Sequence, residues 1–310
     1  KKPKKEYWKK LNDIRSNILK ISGVDVIYNN EVLALKNVTF DLSKSTIAAL
    51  VGMNGSGKST LFKAIMGFTP MTKGSIKIFG LEIKNALKKN LIAYVPQNEE
   101  IDWDFPILVE DVVMMGRYGF MNFFRKPKDL DLKIVDESLS RVNMVDFKKR
   151  QIGELSGGQK KRIFLARALA QKSEVILLDE PFAGIDVKSE EEIVSILSKL
   201  KDEGKIILIA THNLGSVPEF CDKTILLNQE VIASGRTKDV FTQSNLEKTF
   251  GGTLRQFILP GKDLHTDKDE RGITVLSDDE RPLVFYDGDN HDWYSNWAIH
   301  LWLHGKSNSY

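Results

Sequence analysis

Cysteine is almost absent: Cys221 stands alone in 310 residues. No intrachain disulfide can form, which points to a reducing compartment. Long hydrophobic runs are missing too, so the sequence offers no segment able to cross a bilayer and no secretory signal pattern. Neither sign of charge dominates. With 45 Lys and Arg against 42 Asp and Glu, the net charge of +3 is too small for nucleic acid to be the main partner. No internal repeat or low-complexity tract is present. What is there is ordinary for a globular chain, 42% hydrophobic and 28% charged, long enough for one large domain or two smaller ones.

The first stretch, KKPKKEYWKK, is a dense lysine run. It reads either as a solvated, frayed terminus or as a contact with acidic headgroups at a membrane surface. From Val24 to Phe40 the pattern suggests short β-strands. TIAALVG (46–52) is a buried strand ending in glycine, and a helix follows from Lys58 to Gly67. SIKIFG and LIAYVPQ read as strands. VEDVVMMGRYG, DLKIVDESLSRVNM and KKRIFLARALAQ read as helices. EVILLDEP and KIILIATHN return to strand, separated by the helical VKSEEEIVSILSKLKDEG. Alternation of strand and helix predicts an α/β fold with a parallel sheet, and the helical middle reads as an inserted subdomain.

GMNGSGKST (52–60) fits G-x-x-x-x-G-K-[ST] in full, between a predicted strand and a predicted helix. Gly55 and Gly57 let backbone close around phosphate oxygens. Lys58 is expected to reach the β- and γ-phosphates of a nucleoside triphosphate, and the Ser59 hydroxyl to ligate Mg²⁺. In VILLDEP an apolar strand ends in Asp179 and Glu180, where open α/β sheets bind ligands. Asp179 is expected to hold Mg²⁺ through water and Glu180 to polarise an attacking water. A second anion site lies in ELSGGQKKR (154–162), where a Ser-Gly-Gly turn opens a predicted helix.

Together these motifs resemble the ATP-binding subunit of an ABC transporter. The order is that family's: Walker A with Gly52, Asn54, Gly55, Ser56, Gly57, Lys58, Ser59 and Thr60; the Q-loop Gln97 in YVPQ; the signature LSGGQ, with Ser156, Gly157, Gly158 and Gln159; Walker B ending at Asp179 and Glu180; the D-loop AGID ending at Asp186; and the switch His212 in THN. Tyr28 falls where the family stacks adenine on an aromatic ring. Taken alone, His212 would be a structural residue at a strand end and Tyr28 an ordinary strand aromatic. The D-loop departs from many members in carrying Gly184. The resemblance implies a P-loop NTPase fold of ABC type: a RecA-like parallel-sheet core, an antiparallel β subdomain and an inserted α-helical subdomain. It implies ATP and Mg²⁺, with Ser59, Gln97 and Asp179 toward the metal and Glu180, Gln97 and His212 in catalysis. It also implies a head-to-tail dimer with a second copy of the chain, in which Ser156, Gly157 and Gly158 hold the γ-phosphate of the neighbour's ATP.

The stretch QNEEIDWDFPILVEDVVMMGRYG, with QIGELSGGQKKRIFLARALAQ, THNLGSVPEFCD and SDDERP, looks like the ATPases of bacterial importers for manganese, zinc and chelated iron, closest to the manganese/iron group. That implies a separate polytopic permease as partner, a metal-binding substrate-binding protein at one remove, no nucleic acid, and a peripheral place on the cytoplasmic face of the inner membrane. Another small-solute importer is the alternative, and an ABC ATPase acting on ribosomes or DNA a more distant one. Trp103 and Phe105 are candidate groove residues for the permease, or plain subdomain packing. The expected division is an extension over 1–20, the ATPase over 21–260 with its helical subdomain at about 98–170, and a tail over 261–310. The resemblance ends near Pro282. The tail packs Trp293, Trp297 and Trp302 into one short segment, and His300 and His304 would share a helix face, which suits packing or, less readily, a metal.

Overall fold

The computed structural model describes residues 17–28, 31–97 and 106–251, and beyond them the strand segments 255–259, 273–277, 283–286 and 293–294. The amino-terminal lysine run, Trp103, Phe105, Trp297, His300, Trp302 and His304 lie outside the described residues, and Trp293 is described by its backbone alone.

Two antiparallel strands, β1 (Asn17–Ile27) and β2 (Leu33–Ser43), begin the described chain. They are 11 residues each, longer than the short strands expected over this region. The difference lies at Gly23. The buried positions are Leu19 and Ile21, then Val24 and Val26, so the alternation skips one residue. A bulge absorbs it: Ile21 faces Phe40, but Val24 faces Val38. The slip keeps the apolar side chains of both halves on one face.

β3 (Thr46–Val51) is buried at every position. Ile47, Ala49 and Val51 belong to one core, Ala48 and Leu50 to the other. A strand covered on both faces needs a continuous apolar run, and TIAALV is one. Next come α1 (Lys58–Ile65), β4 (Lys73–Ile78), β5 (Leu81–Glu82), α2 (Ile83–Lys88) and β6 (Ile92–Val95). β4 and β5 extend the first sheet in the order β2-β1-β4-β5. That sheet and α1 cover the Ala48 and Leu50 face, through Leu19, Ile21, Leu61 and Phe62.

The opposite face meets a helical layer: α3 (Val109–Met114), a 3₁₀ turn (Met115–Phe120), α4 (Asp129–Arg141) and α5 (Gly157–Ala170). Buried Arg117 ties the layer together. Its Nε donates to Asp131 Oδ1 at 3.0 Å and its Nη1 to the Ala170 carbonyl at 2.8 Å. The chain continues through β7 (Val175–Asp179), α6 (Val187–Asp202), β8 (Ile206–Thr211), α7 (Val217–Phe220), β9 (Lys223–Asn228), β10 (Glu230–Arg236), α8 (Thr237–Val240) and α9 (Gln243–Phe250). The central sheet has the order β10-β9-β3-β8-β7-β6, parallel from β9 to β6 with β10 antiparallel at the edge. The fold is α/β, as the alternation predicts. A further antiparallel sheet joins β11 (Arg255–Leu259), β12 (Ile273–Ser277), β13 (Leu283–Tyr286) and β14 (Trp293–Tyr294), so pairing runs across residue 260.

Register positions the site. Val51 pairs with Thr211, and Asp179 with Ala210. The segments after β3, β7 and β8 therefore leave one edge of the sheet together, the edge where parallel sheets hold ligands.

Burial opposes the charge on Asp131, but bonds from the Lys128 N–H and from Arg117 outweigh it and hold its carboxyl below the usual carboxylate range. The stabilisation is complete above the ordinary carboxylate pKa and is lost as pH falls through the lowered value. Asp131→Ala leaves Arg117 buried without its carboxylate. It is expected to cost about 3 kcal/mol at neutral pH. In urea unfolding, the gap between variant and parent should close as pH falls below about 4.

Candidate functional site

β3 ends at Val51, α1 begins at Lys58, and residues 52–57 turn between them. Gly57, the N-cap, holds φ at 102°. A Cβ there would sit 2.6 Å from Leu35 Cδ2 and 2.8 Å from the Ala34 carbonyl. At Gly52 a Cβ would come within 2.2 Å of the Leu227 carbonyl. The loop is thus clamped between β2 and the end of β9. Gln229 adds a backbone brace: its N–H donates to the Ser56 carbonyl at 2.8 Å, and its carbonyl accepts from Lys36 N at 2.8 Å. Lys58 is buried, with Nζ donating to the Gly52 carbonyl at 2.6 Å and the Met53 carbonyl at 3.1 Å. Burial lowers its pKa, against the opposing charges of Glu180 and Asp179.

Asp179 ends β7 and is buried. Its Oδ2 accepts from the Tyr94 hydroxyl at 3.3 Å, and the Ser59 hydroxyl bonds the same carboxylate. Burial pushes this carboxyl above its ordinary pKa, offset by those two hydrogen bonds and by the charges of Lys58 and Lys161. Oδ1 is buried with no hydrogen-bond partner. A buried carboxylate oxygen without a donor, beside a serine hydroxyl, suits a hard cation that takes oxygen ligands, so the residues present fit Mg²⁺. Glu180 adopts φ 48°, a left-handed conformation that costs on the order of 1–3 kcal/mol in a residue with a side chain. Its N–H bonds the Ala210 carbonyl at 2.9 Å. Its Oε1 lies 2.8 Å from His212 Nδ1 and 4.0 Å from Lys58 Nζ.

These groups meet at a cleft of about 300 Å³ whose walls include Tyr28, Asn54, Gly55, Gly57, Lys58, Ser59, Thr60, Gln97, Asp179 and Glu180. Ten sequence-predicted residues thus share one site. Tyr28 presents a half-exposed ring and bonds Thr60 Oγ1 through its hydroxyl at 2.9 Å. His212 reaches the cleft through Glu180. Sequence reasoning did not single out Val32, Leu33, Ala34, Met53 or Gln229, which also line it. Gln229 carried a faint signal, a polar turn between the apolar runs TILLN and VIASG. Val32 and the β2 residues Leu33 and Ala34 carried none, because only sheet packing brings them to the loop.

The remaining predicted residues do not line this cleft. Ser156 is the N-cap of α5: its Oγ accepts from Gln159 N at 3.3 Å, while Gln159 Oε1 accepts from Ser156 N at 2.9 Å. That reciprocal pair satisfies two helix-end donors. Ser156 and Gly157 are both exposed at the positive end of a 14-residue helix. A Cβ on Gly158 would meet Ser189 Oγ at 2.3 Å, so glycine lets α5 approach α6 there. Asp186 caps α6 by accepting from the Ser189 N–H at 2.9 Å and its hydroxyl at 2.8 Å, bonds that hold the Asp186 carboxyl low. A hydrogen bond links the two groups: Lys161 Nζ, one turn into α5, donates to the Gln97 carbonyl at 2.9 Å.

Residues 35–183 match the family model described as ABC transporter. The chain is 58% identical over 268 residues, 86% of its length and 90% of the relative's, to the chelated iron transport system membrane protein YfeB of Yersinia pestis. It is 58% identical over 234 residues, 76% of its length and 90% of the relative's, to the manganese transport system ATP-binding protein MntA of Synechocystis sp.. Among solved structures, an ABC transporter in an inward-facing conformation matches with a TM-score of 0.70 at 30% identity, covering 84% of this chain and 97% of that one. A dimeric ATP-binding cassette with bound ADP and Pi, in a post-hydrolysis state, matches with a TM-score of 0.61 at 27% identity, covering 71% and 98%.

The clamp on the phosphate loop separates two glycines that look alike in sequence. Gly57→Ala meets both an unfavourable φ and two atoms in contact, and is expected to cost about 3 kcal/mol of unfolding free energy. Gly55→Ala, at φ 82° with no atom within 4 Å of its Cβ, is expected to cost about 1 kcal/mol. Urea titration of the two variants checks the order; equal losses would remove the steric argument.

Proposed function

The chain belongs to the ABC transporter family as a nucleotide-binding, ATP-hydrolysing member, and we propose that it energises import of a transition-metal ion, manganese or iron with zinc as the third candidate, through a separate membrane permease. The cargo reading is supported by relatives named for chelated iron and for manganese, each 58% identical to it. Among the described residues no helix is long and apolar enough to cross a membrane. Peripheral attachment to the permease, at the cytoplasmic face of the inner membrane, goes with that reading. So does a metal-binding protein on the far side as a more distant partner. Residues 21–260 would carry the ATPase, with 1–20 and 261–310 flanking it.

The roles follow from geometry. Lys58 would exchange its bonds to the Gly52 and Met53 carbonyls for β- and γ-phosphate oxygens, which return a full charge partner to a buried ammonium. Asn54, Gly55, Ser56, Gly57 and Thr60 would complete the phosphate cradle, and Tyr28 would stack on adenine. Ser59, Gln97 and Asp179 would hold Mg²⁺, with the unpaired Asp179 Oδ1 facing it. When bound, the metal neutralises developing phosphate charge. Glu180 would accept a proton from the attacking water, held in place by His212 at 2.8 Å. Ser156, Gly157 and Gly158 would serve the ATP of a second copy, beside Gln159 and Asp186, whose caps hold that surface in shape.

One observation carries the dimer: the signature turn is exposed and lies off the walls of its own chain's cleft. A two-fold arrangement of two chains supplies each cleft with the other's signature. The test mixes two inactive variants, Ser156→Arg and Lys58→Ala. In the mixed dimer one site carries both lesions and the other none. Hydrolysis is expected to return on mixing, to about a quarter of the parental rate if one sound site turns over independently. If Ser156→Arg instead abolishes ATP binding by a folded single chain, the signature acts within its own subunit.

For the cargo, a strain lacking this subunit is compared with its parent for uptake of labelled manganese, iron and zinc. Uptake of manganese or iron is expected to fall to background. Unchanged uptake of all three ions would move the cargo to another small solute.

A further inference from the structure

The helical layer displays a group of apolar side chains that its own core does not use. Between the 3₁₀ turn and α4, residues 121–128 form a loop. Phe123 is 95% exposed and Phe124 76%, with Phe120 and Leu130 also in solvent. The two phenylalanine rings meet edge to face at 5.7 Å. Neighbouring exposed aromatics of this size are uncommon on a soluble domain without a partner. Basic side chains follow them in the chain: Arg125, Lys126 and Lys128 are all exposed, with Arg125 over the Tyr118 ring at 4.8 Å, ahead of the exposed Asp129.

The loop is held at its root. Arg117, buried and bonded to Asp131 and the Ala170 carbonyl, stacks on Phe120 at 3.9 Å. Gly119 sits so close to Asn90 that a Cβ would lie 2.6 Å from its Oδ1. A fixed base therefore carries a convex aromatic tip with a basic rim. A ring that is 95% exposed projects from the surface and is available to enter an apolar layer. Aromatic rings backed by Lys and Arg are the chemistry of the membrane interface, where rings settle at headgroup level and cations pair with lipid phosphate.

We propose that loop 121–128 is a lipid-contact element: Phe123 and Phe124 enter the interfacial layer of an anionic bilayer while Arg125, Lys126 and Lys128 bind headgroup phosphates. This contact orients the subunit at the membrane independently of the permease. It goes beyond the ATPase reading and needs neither nucleotide nor cargo.

The test is flotation of the full chain with vesicles of phosphatidylcholine alone or mixed with phosphatidylglycerol. Binding to the mixed vesicles, and its loss at high salt, are expected. The double variant Phe123→Ser/Phe124→Ser is expected to bind about tenfold more weakly, and so is Arg125→Glu/Lys126→Glu/Lys128→Glu. Phe123 and Phe124 are exposed, so unchanged melting and ATP binding should accompany the loss in the Phe variant. Equal partition of parent and Phe variant would overturn the proposal, because the amino-terminal lysines would then account for the binding. Vesicle binding that survives in the Phe variant while its co-purification with the permease is lost would overturn it too, and would give the surface to the permease. Failure of either kind leaves the ATPase assignment standing, since hydrolysis is measured without lipid.

Discussion

The parallel register of β3, β8 and β7 is the constraint on which the site depends. Val51 beside Thr211 and Asp179 beside Ala210 end three strands at nearly one level. The phosphate loop, the two carboxylates and His212 then emerge side by side, although more than a hundred residues separate the first from the others. Each strand has to be apolar on both sides, since a β sheet and α1 cover one face and the helical layer the other. Continuous apolar sequence in TIAALV, VILLD and IILIAT is the cost of that burial, and it is why these strands stand out in the sequence.

Within the cleft, buried charges balance one another without all being satisfied. Lys58 is held by loop carbonyls and faces Glu180 and Asp179. Burial lowers the lysine pKa and raises that of Asp179, so both groups resist charge in the chain alone. Phosphate and a divalent cation are the partners that would relieve both. The left-handed backbone at Glu180 belongs to the same economy of position: it turns the carboxylate from the strand end toward Lys58 and His212, and the parallel sheet supplies the Ala210 carbonyl that holds it.

The two clusters of predicted residues are separate but mechanically joined. α5 begins with the exposed Ser156 and Gly157, and one turn later Lys161 bonds the Gln97 carbonyl at the cleft. A shift of the Gln97 segment on nucleotide binding would thus be felt at the helix whose first turn would serve another copy. That is the kind of element through which a nucleotide can bias a two-state assembly.

Much of this was legible from residues alone. Gly-rich loop, carboxylate pair and LSGGQ are short patterns whose chemistry depends on residue type and spacing, so the sequence determined the fold class and the family, and it named ten of the residues that line the cleft. The bulge at Gly23 was not legible as one long strand, because a skipped residue breaks the alternation on which a strand is recognised. Val32, Leu33 and Ala34 were invisible as cleft walls, since nothing local marks a residue whose role depends on a sheet packed against a loop. The register that levels three strand ends, the clamp on Gly57, the bond from His212 to Glu180 and the exposed basic and aromatic tip were decided by tertiary structure. Each depends on contacts between segments distant in the chain, and a local pattern holds no information about where its distant neighbour comes to rest.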